Sequence, residues 1–144
     1  MRQMQTVSLN NETDMLAFGA RLVAQLSAGQ AVCLTGGLGA GKTTLARGMI
    51  QSVLGDIEVP SPTYTLVQTY DMPDFELWHC DMYRLEKPED GYELGLIDAF
   101  EEALCLIEWP DKLGDLIPED ALSIDIQFDG EGRKVTLKGF EPIT

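Results

Sequence analysis

An α/β fold built on a mixed β-sheet is what this sequence predicts, and three observations carry the prediction. A short apolar segment runs into a glycine-rich turn and then into a helix-forming stretch over residues 30–54. A second run, Ala103-Leu104-Cys105-Leu106-Ile107, is fully apolar and closes on Glu108, the pattern of a buried strand. Near the C-terminus two alternating segments flank Asp129-Gly130-Glu131-Gly132, which reads as a β-hairpin.

Each element has a local reason. Asn10 or Asn11 supplies a cap for a helix over 12–29, in which Met15, Phe18, Leu22 and Leu26 make one apolar face. Residues 30–35 are short, apolar and partly β-branched, and predict a strand; 43–54 predicts a helix that stops at Gly55. The turn Pro60-Ser61-Pro62 precedes a strand over 65–71, and Met72-Pro73-Asp74 turns the chain into another over 76–83. Helical pieces follow at 88–94 and 97–102, and the terminal hairpin pairs 122–128 with 134–140. With no linker, repeat or low-complexity tract, residues 1–144 predict a single domain.

Composition narrows the class. A hydrophobic fraction of 44% and a charged fraction of 24% suit a soluble globule and exclude disorder. Fourteen glycines and seven prolines form no repeat, which excludes collagen-like chains. No apolar run approaches the roughly 18 residues of a membrane span, and Met1-Arg2-Gln3-Met4-Gln5-Thr6 has no apolar block of signal type. The expectation is a cytoplasmic protein with no membrane partner. The net charge is −14, and residues 71–131 carry nineteen acids against Arg84, Lys87 and Lys112, a local balance of −16. Such a surface repels phosphate backbones, so any nucleic acid is reached indirectly; it either attracts a basic protein or merely keeps the chain soluble. Cys33, Cys80 and Cys105 form no CxxC pair and sit in apolar stretches, which predicts core packing rather than zinc or disulfides.

Gly36-Gly37-Leu38-Gly39-Ala40-Gly41-Lys42-Thr43 satisfies G-x-x-x-x-G-K-[ST], between a predicted strand and a predicted helix. A loop that wraps its N–H groups around a polyanion cannot carry obstructing Cβ atoms, and Gly36, Gly39 and Gly41 meet that need. The helix dipole adds positive potential, Lys42 places a cation on the β- and γ-phosphates, and the Thr43 hydroxyl is a hard ligand for Mg²⁺. The motif makes the fold P-loop NTPase-like, with the sheet flanked by helices.

A P-loop site also needs a carboxylate for magnesium and a group that orients the attacking water. Glu108 at the end of the apolar strand and Asp81 in Leu77-Trp78-His79-Cys80-Asp81-Met82-Tyr83-Arg84 are the candidates; period-two spacing puts His79, Asp81 and Tyr83 on one face. Ser61-Pro62-Thr63-Tyr64-Thr65 either senses the γ-phosphate through its hydroxyls or is only a turn into a strand. His79, the single histidine, reads as a satisfied, partly buried residue, and Trp109 as core or as a stacking platform.

Together GGLGAGKTT at 36–44, SPTYTL at 61–66, HCDMYRL at 79–85 and IEWP at 107–110 resemble the TsaE (YjeE) family of small bacterial ATPases. The motifs stand in family order over nearly the whole chain. The resemblance implies an ATP- and Mg²⁺-dependent P-loop ATPase that works with TsaD and TsaB in threonylcarbamoyladenosine synthesis at adenosine 37 of tRNA. TsaC would make the threonylcarbamoyl-adenylate donor. It further implies Thr43 and Glu108 at magnesium, and Lys42, Asp81 and Glu108 in the catalytic cycle. The nucleotide would lie against Gly37, Leu38, Gly39, Ala40, Gly41, Lys42, Thr43 and Thr44, with Glu12, Thr13 and Arg133 as neighbours. One position departs: the family loop commonly reads GDLGAGKTT, and Gly37 here removes a carboxylate near the γ-phosphate. A small-molecule kinase is the alternative enzyme, but past the loop helix the chain offers only Arg84 and Arg133 to cover a transferred phosphate. A nucleotide-gated binding module, with ATP ordering the 61–65 loop and no essential hydrolysis, is the alternative outside the enzymes.

Overall fold

The computed structural model describes residues 4–142. It contains β1 (Met4–Leu9), α1 (Glu12–Val23), β2 (Ala31–Gly36), α2 (Lys42–Leu54), β3 (Val67–Asp71), β4 (Glu76–Asp81), α3 (Asp90–Glu93), α4 (Leu96–Glu102), β5 (Leu104–Glu108), β6 (Leu122–Asp129) and β7 (Gly132–Lys138), with a 3₁₀ segment at Pro110–Leu116. Two compact units divide the chain: residues up to 26, 35–59 and 122 onward form the first, and 27–34 with 60–121 the second. The chain crosses from the second to the first inside β2.

In the first unit β1, β7 and β6 make an antiparallel ladder, from Leu9 opposite Arg133 to Ile124 opposite Leu137. The hairpin turns on Gly130, at φ +59°, where a left-handed residue suits a two-residue loop. Helices α1 and α2 approach closely. A Cβ on Gly19 would lie 2.6 Å from the Leu45 carbonyl oxygen, and one on Gly48 would lie 2.4 Å from that of Leu16. Glycine at both places lets the backbones meet, and Met15, Phe18, Leu22, Leu45, Met49 and Ile50 bury their side chains there.

In the second unit β2, β5 and β4 run parallel, with Leu34 opposite Glu108 and Asp81 opposite Glu108 across the two ladders. β3 joins β4 antiparallel, so this sheet is mixed. Its core gathers Cys80, Met82, Leu85, Leu96, Phe100, Cys105 and Ile107. All three cysteines are buried and free, as their apolar neighbourhoods predict. Burial pushes the Cys33 thiol up to about 11 and the Cys105 thiol to about 12, so both are neutral packing groups.

Among the differences from expectation, three boundaries and one added strand have a clear physical reason. Helix α1 is capped by Asn11, whose side chain accepts from the Asp14 N–H at 2.9 Å, but it ends at Val23. Gln25 and Leu26 bond back three residues, which tightens the chain out of the α ladder. Strand β3 begins at Val67 because Leu66 is left-handed, at φ +69°. Strand β4 ends at Asp81, whose Oδ1 accepts the Tyr83 N–H at 3.0 Å and turns the chain, so Tyr83 leaves the strand face it was expected to share. β1 is the unanticipated strand. It is polar except at Met4, Val7 and Leu9, and acquires its place only by pairing with β7.

Candidate functional site: a phosphate loop and an acidic strand end

The glycine-rich loop lies in the first unit between β2 and α2. Gly36 stands at φ +146°, where a Cβ would meet the Ile126 carbonyl oxygen at 2.5 Å, so neither the conformation nor the space admits a side chain. Before it, the Thr35 hydroxyl donates to Asp125 at 2.6 Å and pins β2 to β6. Ala40 N–H closes a turn on the Gly37 carbonyl at 3.1 Å. Helix α2 then starts on Gly41, at φ +119°, with no side chain capping its first turn. A helix start without a side-chain cap, preceded by a glycine loop, is a ready anion site. The Lys42 ammonium is buried over this loop and donates to the carbonyls of Gly36 at 2.7 Å and Gly37 at 3.0 Å.

A cavity of about 170 Å³ opens beside the loop. Its wall includes Asn11, Glu12, Gly39 to Gly41, Thr44 and Arg133. Arg133 is held by donation to the Ala40 carbonyl at 2.8 Å and by stacking of its guanidinium over Phe128 at 4.4 Å. Thus Glu12 and Arg133 do come together with the loop. Thr13, Gly37, Leu38, Lys42 and Thr43 lie outside the cavity wall, and Thr13, Gly37 and Leu38 are exposed. Asn11, Met15, Glu131 and Gly132 line it without having been singled out as site residues. Helix phase was the available signal for Met15, which stands three residues after Glu12 and so on the same face.

The acids lie in the second unit at the ends of β4 and β5. Asp81 and Glu108 are both buried, at 4% and 3% exposure. Asp81 accepts from the Thr63 hydroxyl at 3.1 Å, and Thr63 in turn meets Ser61 at 2.9 Å. The Ser61–Thr65 segment is therefore tied to the acid through hydroxyls, beyond a simple turn. Glu108 meets the Nε2 of His79 at 2.6 Å. His79 is completely buried, not partly so, and its Nδ1 has no hydrogen-bond partner among the described residues. Aligning the ends of the two strands would have revealed this contact: Asp81 stands opposite Glu108, and His79, two residues earlier, is its diagonal neighbour. Trp109 is half-buried at φ +58° and its ring meets that of Tyr83 at 5.0 Å with the planes tilted by 52°, while Arg84 lies 4.8 Å over the exposed Tyr64 ring. Among the described residues no cluster of three or more His, Cys, Asp or Glu forms a ready metal cage. Hydroxyl and carboxylate oxygens nevertheless fit magnesium, which keeps several waters and takes one or two carboxylates together with substrate phosphates.

Residues 9–135 match the family model described as "Threonylcarbamoyl adenosine biosynthesis protein TsaE". The chain belongs to the TsaE family. It is 39% identical to the tRNA threonylcarbamoyladenosine biosynthesis protein TsaE of Rickettsia bellii, covering 89% of both chains. To the protein of that name in Haemophilus influenzae it is 38% identical, over 92% of this chain and 87% of the relative. The crystal structure of Bacillus subtilis YdiB superposes with a TM-score of 0.81 at 26% identity, covering 98% of this chain and 88% of that one. The fold is thus that of the TsaE family, a P-loop type of α/β fold with helices flanking its strands. No helix among the described residues is long and apolar enough to cross a membrane.

Proposed function

We propose that this TsaE-family chain acts in the cytoplasm as the ATP-binding and ATP-hydrolysing subunit required for threonylcarbamoyladenosine modification of tRNA, on a complex of TsaB and TsaD. The tRNA is met through those partners, because the −16 segment at 71–131 opposes direct contact with a polyanion. The observation that carries the nucleotide assignment is the Gly36–Lys42 loop opening onto the uncapped start of α2.

The roles follow from the chemistry of each group. Main-chain N–H groups of Gly37 to Thr44 cradle the phosphates. Lys42 exchanges its two carbonyl contacts for the β- and γ-phosphate oxygens, where its charge offsets that of the transition state. Magnesium, when bound with ATP, supplies charge neutralisation across those oxygens, and Thr43 and Glu108 are the residues that would hold it. Asp81 carries the state of the 61–65 segment through Thr63, so that segment responds when the γ-phosphate leaves. Glu12 and Thr13 flank the base, and Arg133 swings from the Ala40 carbonyl toward the nucleotide.

The test is ATP turnover by the purified chain alone and with TsaB and TsaD. Slow hydrolysis alone and faster hydrolysis with both partners is expected, because a P-loop site without a supplied positive charge is slow. Equal turnover in the two samples contradicts the partner assignment. Phosphate transferred to a metabolite rather than released points to the kinase instead.

A further inference from the structure

The buried His79–Glu108 pair is a polar contact of the acidic strand end that the ATPase reading leaves without a task. We propose that His79 is a positioning residue for Glu108: its Nε2–H donates to Oε2 and holds the carboxylate in one orientation for the magnesium and water it serves. The inference rests on the reading that Glu108 takes part in ATP hydrolysis.

Three observations carry it. The contact is short, at 2.6 Å, and fully desolvated, with side-chain exposures of 0% and 4%, conditions in which a hydrogen bond to a carboxylate is strong and directional. His79 lies inside β4, a strand paired on both sides, with Gln68 of β3 opposite it in one ladder and Leu106 of β5 in the other. Its side chain is wholly buried, so the ring has little room to turn and holds its partner in a set geometry.

The third observation is that Nδ1 has no hydrogen-bond partner among the described residues. A buried N–H without an acceptor is much rarer and more costly than a buried acceptor without a donor. The proton therefore sits on Nε2, facing Glu108, and Nδ1 is a bare lone pair. In that tautomer Nε2–H donates and Oε2 accepts, which orders the carboxylate, whereas a lysine or arginine at the same place would compete with the magnesium. Partners of this kind behind a metal-binding carboxylate fix its rotamer and govern how well it serves the ion.

The chain has one histidine, so a single imidazole signal reports on this bond with no assignment problem. The experiment is nitrogen-15 NMR of the tag-free, nucleotide-free protein at neutral pH, followed by kinetics of two variants. The expected spectrum is the Nε2–H tautomer, displaced in Glu108→Gln. His79→Phe keeps an aromatic ring without the donor, and is expected to lower kcat by about ten- to a hundredfold while magnesium-free nucleotide affinity stays unchanged. His79→Gln, whose amide nitrogen replaces Nε2–H, is expected to recover most of kcat. An Nδ1–H tautomer, an imidazolium, or a signal indifferent to Glu108→Gln overturns the proposal. So does equal kcat in the two His79 variants. If His79→Phe fails to fold, the wild-type spectrum and His79→Gln still decide. Full turnover in Glu108→Gln overturns the assignment of Glu108 to hydrolysis, a failure separate from that of the His79–Glu108 bond, which the spectrum reads directly.

Discussion

In the ATPase proposed above, the glycine loop acts through main-chain atoms, whereas the ends of β4 and β5 act through side chains. Around the loop, side chains are mostly absent or turned aside: Gly36 has no room for one, and Gly37, Leu38 and Gly39 point none into a packed core. At the strand ends the atoms proposed to act belong to the buried carboxylates of Asp81 and Glu108, the half-buried Thr63 hydroxyl and the buried His79 imidazole, each with a named partner. A main-chain site tolerates substitution wherever a Cβ fits and fails abruptly where it does not. A side-chain site loses function with the change of a single atom while its fold survives. The two regions are thus expected to fail differently, and mutations can separate them.

The largest expected effect is at the side-chain site. Glu108→Gln removes one negative charge at nearly constant shape and is expected to lower ATP turnover by about 100- to 1000-fold. Calorimetry is expected to show nucleotide affinity retained, and turnover near that of the wild type removes Glu108 from the chemistry. Next is Gly36→Ala in the loop. A Cβ placed 2.5 Å from the Ile126 carbonyl, at φ +146°, must displace backbone, and a stability loss of roughly 2–3 kcal/mol is expected in urea unfolding. A loss within the scatter of ordinary surface changes shows that the loop relaxes and that the comparison is wrong.

Lys42→Ala sharpens the contrast, because here the loop acts through a side chain. It deletes a charge-assisted contact of about 1.5–3 kcal/mol, hence about ten- to over a hundredfold of nucleotide affinity, read by calorimetry. Asn11→Ala removes the cap of α1 and is expected to cost about 1 kcal/mol of stability; no change in the melting curve argues against the 2.9 Å cap bond. The smallest effect is expected for Gly37→Asp. A Cβ there first meets Phe128 at 3.7 Å, an ordinary contact, so nucleotide affinity should move by less than about 0.5 kcal/mol. Turnover should rise as a carboxylate returns beside the γ-phosphate. A large fall in affinity indicates that the backbone, and not only the side chain, differs at this position.

The same division explains what could be read from sequence. A main-chain site spells itself out, because glycines at fixed spacing followed by Lys42 and Thr43 have few other uses. The apolar run before Glu108 likewise announces β5, buried at all five positions. Strand β1 was illegible: its residues alternate too weakly, and its pairing partner lies more than a hundred residues away. The 3₁₀ segment at Pro110–Leu116 depends on Trp109 adopting φ +58°, which no propensity of tryptophan signals. His79 was misread as partly buried because its environment is set by strand register. Register is a property of two segments together, and a pass along one segment does not contain it.

The most direct test of the main-chain claim is amide NMR of the nitrogen-15-labelled protein during titration with ATP and magnesium. The account predicts that the largest shift changes fall on the N–H groups of Gly37 to Thr44 and persist in Gly37→Asp. Saturable binding that leaves those amides unmoved, with the largest changes elsewhere in the chain, would contradict it.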